Sequence, residues 1–190
     1  DTVMSPNDSI KYYKSFLQAG VLSMDPQTGY IKAWVGGINF QNFQYDHVKQ
    51  SRRQVGSTFK PFVYNLAIQN GYSPCYEVPN VIECFDMPKP QPKYCPENSD
   101  DDYGYNVTLR YGMANSMNTV TSWVMKRFGP QAVVDYTRRL GITSPLEPVP
   151  SLALGVADLS LYEMVGAYGT FANKGQWTQP IYLLRVEDKN

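Results

Sequence analysis

Ser57-Thr58-Phe59-Lys60 sets a hydroxyl and an amine three residues apart, a spacing that puts both on one face of a helix. A lysine whose pKa is lowered by burial and neighbouring donors can take the proton from such a hydroxyl, which makes a nucleophile without histidine. The flanks predict a helix that begins at Ser57. Gly56 precedes the serine, Pro61 follows the lysine, and Phe62, Val63, Leu66, Ala67 and Ile68 run on to Asn70-Gly71. A helix N-terminus beneath the hydroxyl favours negative charge developing there during acyl transfer. Taken alone, the pair reads more simply as an N-cap serine beside a solvated lysine. Yet of thirteen serines only Ser57 has lysine at that offset.

Ser116-Met117-Asn118, about sixty residues further on and near a predicted helix start, supplies a second hydroxyl and an amide. Ser-x-Asn also occurs at Ser5-Pro6-Asn7, in a loop, and Ser116 in isolation reads as a helix cap. The single histidine, His47, would have to serve any Ser-His-Asp triad, whereas Lys60 already lies one turn from Ser57. His47 is therefore read as structural. Glu163 is accounted for by the capping box Ser160-Leu161-Tyr162-Glu163, and no glutamate stands where it would activate a deacylating water.

Positioning these groups takes a short list of elements. Ser9 to Ala19 carries Ile10, Tyr13, Phe16 and Leu17 at helical spacing and stops at Gly20, a lead-in helix. Val21 to Met24 and Tyr30 to Val35 read as a β-hairpin turned by Asp25-Pro26-Gln27-Thr28-Gly29 and ended by Gly36-Gly37. Residues 39–55 lack periodicity and predict an ordered surface segment. Val78 to Asn98 holds five of the fourteen prolines and predicts loop with short strands. From Thr108 the pattern is helical, with Met113, Met117, Val120 and Val124 on one face as far as Gly129-Pro130, and Gln131 to Leu140 adds another helix. The final helix runs from the Ser160 cap to Asn173-Lys174-Gly175, and Ile181 to Val186 is expected to be extended.

A chain of 190 residues can bury one sizeable core. Seventeen basic and seventeen acidic side chains cancel, so no bulk field draws nucleic acid or an anionic membrane, and no nucleic-acid partner is expected. No apolar run approaches the roughly eighteen residues of a membrane span, and residues 1–6 lack the regions of a signal peptide. Any export or anchoring element is expected outside this chain. Cys75, Cys84 and Cys95 beside one distant histidine are too few for a zinc site, so neither metal nor cofactor is expected. In an oxidising compartment Cys84 and Cys95 are the expected disulfide, because Val81 to Phe85 and Lys93 to Cys95 read as extended arms around a proline-rich turn.

Several segments in this order resemble the transpeptidase domain of penicillin-binding proteins, particularly the bifunctional class A type. They are Asp25 to Ala33 with Val35-Gly36-Gly37, Arg53 to Phe62, Pro96-Glu97-Asn98, Ser116 to Thr119, Leu152 to Gly155, and Ala167 to Asn173. The resemblance implies an α/β (α+β) fold like that of penicillin-binding proteins and serine β-lactamases, present in part as the β-hairpin of the sheet plus the helical part. Residues 1–20 would be a lead-in helix or linker and 21–190 a partial domain. It implies that Ser57 attacks the penultimate D-Ala carbonyl of a peptidoglycan stem peptide, with Lys60 as base, and that the amine of a neighbouring stem resolves the acyl-enzyme. Ser116 would relay a proton at the leaving or entering nitrogen. Asn118 would orient Lys60 and bind the substrate backbone. β-Lactam antibiotics would acylate the same serine.

By the same resemblance, a glycosyltransferase domain and a membrane anchor belong to the parent chain, with the site on the periplasmic or extracytoplasmic face of the bacterial inner membrane. One departure stands out: neither Lys-Thr-Gly nor Lys-Ser-Gly occurs. In the family that strand follows the region matching Ala167 to Asn173, walls the cleft and supplies an oxyanion-hole N–H, so a missing C-terminal part is expected and the chain alone is expected to be impaired. The alternatives are a D,D-carboxypeptidase using water as acceptor, and a non-catalytic stem-peptide-binding or β-lactam-sensing domain. Methionine within Ser116-Met117-Asn118 and the lack of a deacylating glutamate weigh against a class A β-lactamase.

Overall fold

The structure is a computed structural model that describes residues 3–41 and 43–188. Helix α1 spans Pro6–Lys14, three residues earlier than its apolar pattern predicts, because Ser5 caps it by accepting from the Asp8 amide and Pro6 opens its first turn. None of its residues is buried; Tyr12, Tyr13 and Phe16 pack edge-on against one another instead.

Strands β1 (Val21–Met24) and β2 (Ile31–Val35) form the expected antiparallel hairpin, in register from Val21 opposite Val35. Its turn is organised by the Asp25 carboxylate, which accepts from the amides of Gln27 and Thr28. The run expected to be extended at 181–186 forms no named strand. Only Ile181 pairs, in a parallel bridge to Tyr30, while Tyr182, Leu183, Leu184 and Val186 stay exposed and outside any ladder.

Strand β3 (Arg53–Gln54) leads into a 3₁₀ turn at Gly56–Phe59 and then helix α2 (Lys60–Gln69). The α-helix thus begins at Lys60 and not at Ser57, and Phe59, without a capping side chain, occupies its N-cap. Strands β4 (Glu77–Pro79) and β5 (Asn106–Thr108) pair antiparallel and close off the proline-rich lobe. Within that lobe Phe85 bridges Tyr94, and Cys84 and Cys95 form the expected disulfide.

The helix expected from Thr108 is broken into α3 (Leu109–Ala114) and α4 (Asn118–Phe128). Helix α5 (Pro130–Arg139), strand β6 (Asp158–Leu159) and helix α6 (Leu161–Ala172) complete the chain, and the Ser160–Glu163 capping box is formed. The core lies where α2, α4 and α5 meet, with Phe62, Val63, Ala67, Val120, Val124, Met125 and Val133 fully withdrawn from water. Because α2 is covered on most of its faces, the residue that opens it is buried as well. That residue is Lys60.

Candidate active site

Ser57 sits at the end of a ladder. Strand β3 pairs with β6, and the pairing continues as Val55 N–H donates to the Ala157 carbonyl and Gly56 N–H to that of Gly155. The two chains come so close that a Cβ on Gly155 would meet the Gly56 carbonyl oxygen at 1.9 Å, and Gly155 has a φ of +73°. Gly155 is therefore required twice over, for its conformation and for the approach. The ladder hands the chain to the 3₁₀ turn, which is tied down when Thr58 Oγ donates to the Val55 carbonyl and Tyr168 Oη to the Thr58 carbonyl, each at 2.6 Å. The Ser57 side chain is exposed and free of intramolecular hydrogen bonds among the described residues.

Lys60, by contrast, is 1% exposed. Its amine donates to the Ser116 carbonyl at 2.5 Å, to Ser116 Oγ at 3.1 Å and to Asn118 Oδ1 at 2.6 Å. All three acceptors are neutral. Among the described residues the ion pairs are Lys93–Asp86, Lys126–Glu83 and Arg185–Glu187, so no carboxylate accompanies Lys60. Burial lowers its pKa from 10.5 to about 8, since the ammonium loses water and gains no counter-charge. The solvated-lysine reading is thereby excluded. The three donors point at Ser116 and Asn118, and none at Ser57.

Ser116 is not the helix cap that its local pattern suggests. It occupies the position just past the end of α3 where a left-handed residue, usually glycine, terminates a helix. Its φ is +53°; its N–H donates to the Met113 carbonyl and the Met117 N–H to the Gly112 carbonyl, the paired bonds of a Schellman motif. A serine held there costs roughly 1–2 kcal/mol of backbone strain. In that conformation both its carbonyl and its hydroxyl oxygens face Lys60.

Asn118 opens α4, and its amide is oriented by donation from Nδ2 to the Glu97 carbonyl at 2.7 Å, which leaves Oδ1 for Lys60. Ser57, Lys60, Ser116 and Asn118 thus stand on three separate helix starts or ends, and the fold joins the last three directly. His47 packs against the rings of Phe43 and Tyr45 and bonds none of them. Glu163 accepts from Thr143, Ser144 and Ser160 and takes no part in the cluster.

Asn98, Gly155 and Tyr168 support the site and carried no individual signal in the sequence, although each lies in a segment that carries the family resemblance. Beside Thr58 runs an apolar groove of about 690 Å³, lined among others by Gly20, Val55, Leu161, Met164, Val165 and Tyr168. The edge of β1 facing away from β2 has no strand partner among the described residues.

Residues 19–190 match the model of a family described as the penicillin binding protein transpeptidase domain. The chain is 33% identical over 176 residues to penicillin-binding protein 1A of Rickettsia prowazekii and 34% identical over 175 residues to penicillin-binding protein 2D of Bacillus subtilis. Each alignment covers 92% of this chain but only 22% and 25% of the respective relative, so the chain spans about a quarter of their length. Among solved structures, penicillin-binding protein 1A from Haemophilus influenzae matches with a TM-score of 0.77 at 29% identity, over 82% of this chain and 23% of that one.

Proposed function

The chain belongs to the penicillin-binding protein transpeptidase domain family, and from that membership we propose that it carries the acyl-serine centre of a peptidoglycan D,D-transpeptidase, with Ser57 as nucleophile. The observation that carries this reading is Lys60: a buried amine without a carboxylate, one helical turn from an exposed serine and bonded to a second one.

A buried ammonium with only neutral partners gives up its proton readily, and a base near pH 8 suits work at neutral pH. Once neutral, Lys60 keeps two N–H donors. The Ser116 carbonyl and Asn118 Oδ1 accept only, so they retain those donors. The lone pair is then free for the Ser57 proton, and the Ser116 hydroxyl, which both accepts and donates, can take a proton from Lys60 while passing on its own. We assign Lys60 the removal of the Ser57 proton and Ser116 its relay to nitrogen.

In the proposed reaction Ser57 Oγ bonds to the penultimate D-Ala carbonyl carbon, and its proton passes through Lys60 and Ser116 to the nitrogen of the terminal D-Ala. That C–N bond breaks and D-Ala departs. The amine of a second stem peptide then attacks the ester carbon, loses its proton by the reverse route and returns Ser57 to its hydroxyl form. Asn118 would hold Lys60 and hydrogen-bond the substrate backbone. β-Lactams would acylate Ser57 by ring opening, with no leaving group.

Residues 1–20 would form the lead-in and 21–190 part of the catalytic domain. The apolar groove beside Thr58 and the open edge of β1 suit further strands, and we assign the expected Lys-Thr-Gly strand to that side. The glycosyltransferase domain, the membrane anchor and the extracytoplasmic location belong to the same proposal. Intact-mass spectrometry of the full-length protein with benzylpenicillin tests it: one adduct, mapped to the Ser57 peptide and lost in Ser57→Ala, is expected. An adduct that persists in Ser57→Ala would remove the assignment.

A further inference from the structure

Helix α4 starts without a capping side chain of its own, since Met117 has none to offer. The missing acceptor comes from twenty residues upstream: Asn98 Oδ1 accepts from the Asn118 amide at 2.8 Å and the Thr119 amide at 3.2 Å. The neighbouring Glu97 carbonyl accepts from Asn118 Nδ2 at 2.7 Å. Residues 97–98 therefore grip Asn118 by backbone and side chain together. Its remaining polar atom, Oδ1, is left pointing at Lys60.

The orientation of Asn98 is itself determined further in. Asn80 is fully buried and donates from Nδ2 to the Asp102 carbonyl at 2.7 Å, an atom that accepts only. Asn80 Oδ1 must then face the other way, where it accepts from Asn98 Nδ2 at 3.0 Å and Thr119 Oγ at 2.7 Å. With its nitrogen committed to Asn80, Asn98 has only its oxygen to present to α4. The Asn98 N–H donates to Tyr103 Oη, and the Cys84–Cys95 disulfide closes the lobe three residues before Asn98. One amide thus sets the flip of the next.

We propose that Asn98, oriented by the buried Asn80, is a positioning residue for the Lys60–Ser116–Asn118 cluster, acting through Asn118. The proposal rests on the acyl-serine reading above. Without the clamp, Asn118 Oδ1 loses its fixed place, Lys60 loses an acceptor, and a base displaced by a fraction of an ångström works less often.

The test is benzylpenicillin acylation of the full-length protein, read beside amide hydrogen exchange at Asn118 and Thr119. Asn98→Ala is expected to slow the acylation step about 10- to 100-fold while leaving half-saturation nearly unchanged, and to deprotect both amides. Asn98→Asp retains an acceptor at the helix N-terminus but sets a carboxylate oxygen against Asn80 Oδ1, so it should recover only part of both losses. In a double-mutant cycle, adding Asn98→Ala to Asn118→Ala should cost nothing more, because the first residue acts through the second.

Additive losses, or deprotected amides with a wild-type rate, would overturn the proposal. Should Asn98→Ala fail to fold, Thr119→Val removes only the hydroxyl shared between Asn80 Oδ1 and Asn98 Oδ1. A smaller slowing is then expected, and none would count against the proposal. Absence of any adduct on the wild-type protein would instead defeat the acyl-serine reading, and unchanged protection in Asn98→Ala would still reject the clamp independently.

Discussion

Lys60 and Glu163 are both ionisable side chains held out of water, at 1% and 8% exposure, and each is well supplied with hydrogen bonds. Burial alone would push the Glu163 pKa up. The Ser144 hydroxyl, the Ser160 and Ser144 amides and the Ser160 hydroxyl outweigh it, together lowering the carboxyl from 4.5 to about 2. Around Lys60 nothing offsets burial, and the amine falls to about 8. Both sites spend neutral dipoles on a charge, but only at Glu163 do they outweigh desolvation. The carboxylate is locked as an ion that ties the 143–144 loop to the start of α6, whereas the amine is left close to exchanging its proton. A full set of hydrogen bonds therefore does not by itself decide which form is favoured: both pKa values fall, which keeps the Glu163 carboxylate charged and brings the Lys60 amine towards neutrality.

The difference can be broken from either end. The largest expected effect is on chemistry: Lys60→Ala should lower the benzylpenicillin acylation rate of the full-length protein by about 10³-fold, the scale of a lost general base. Near-wild-type acylation in that variant would demote Lys60 to a structural donor. Glu163→Gln should act on the fold instead, costing about 3 kcal/mol in urea unfolding because buried donors lose their anion. The acylation rate of the folded fraction should hardly change.

Next in size is the pH dependence of acylation. With the amine titrating near 8, the rate should climb about 50-fold between pH 6 and 8 and level off above. A profile flat over that interval would mean that the neutral amine is not what limits acylation. Stability should respond at the acid end. The folded Glu163 pKa lies below its unfolded value of 4.5, so its contribution is complete above 4.5 and fades as pH falls towards 2. The smallest change is Ser144→Ala, which removes one donor. It should cost about 1–2 kcal/mol and move acid unfolding to higher pH, as followed by circular dichroism.

The contrast between these residues was half visible in the sequence. Glu163 could be placed by its capping box, because a box spans four residues and depends on nothing else. Lys60 could be paired with Ser57 by spacing, but the same spacing fits a solvated lysine equally well. What removed that reading was the burial of α2 between α4 and α5, a consequence of packing. Likewise the pattern from Thr108 to Phe128 looks like one helix, since Met113, Met117, Val120 and Val124 keep their period across the break. The break itself sits at a serine in a conformation that sequence rules reserve for glycine.

By itself, the sequence determined what is local: which residues share a turn, where the hairpin bends, which serine has lysine beside it, and the family to which those segments point. It also brought Cys84 and Cys95 within reach, because the arms between them are short and stiffened by proline. The tertiary structure decided that Lys60 loses water, that Ser116 turns two oxygens towards it, and that Gly155 and Tyr168 hold the turn bearing Ser57. The reason is range. Spacing constrains neighbours along a turn, whereas desolvation and hydrogen bonding depend on partners twenty to more than one hundred residues away, which only the folded chain brings together.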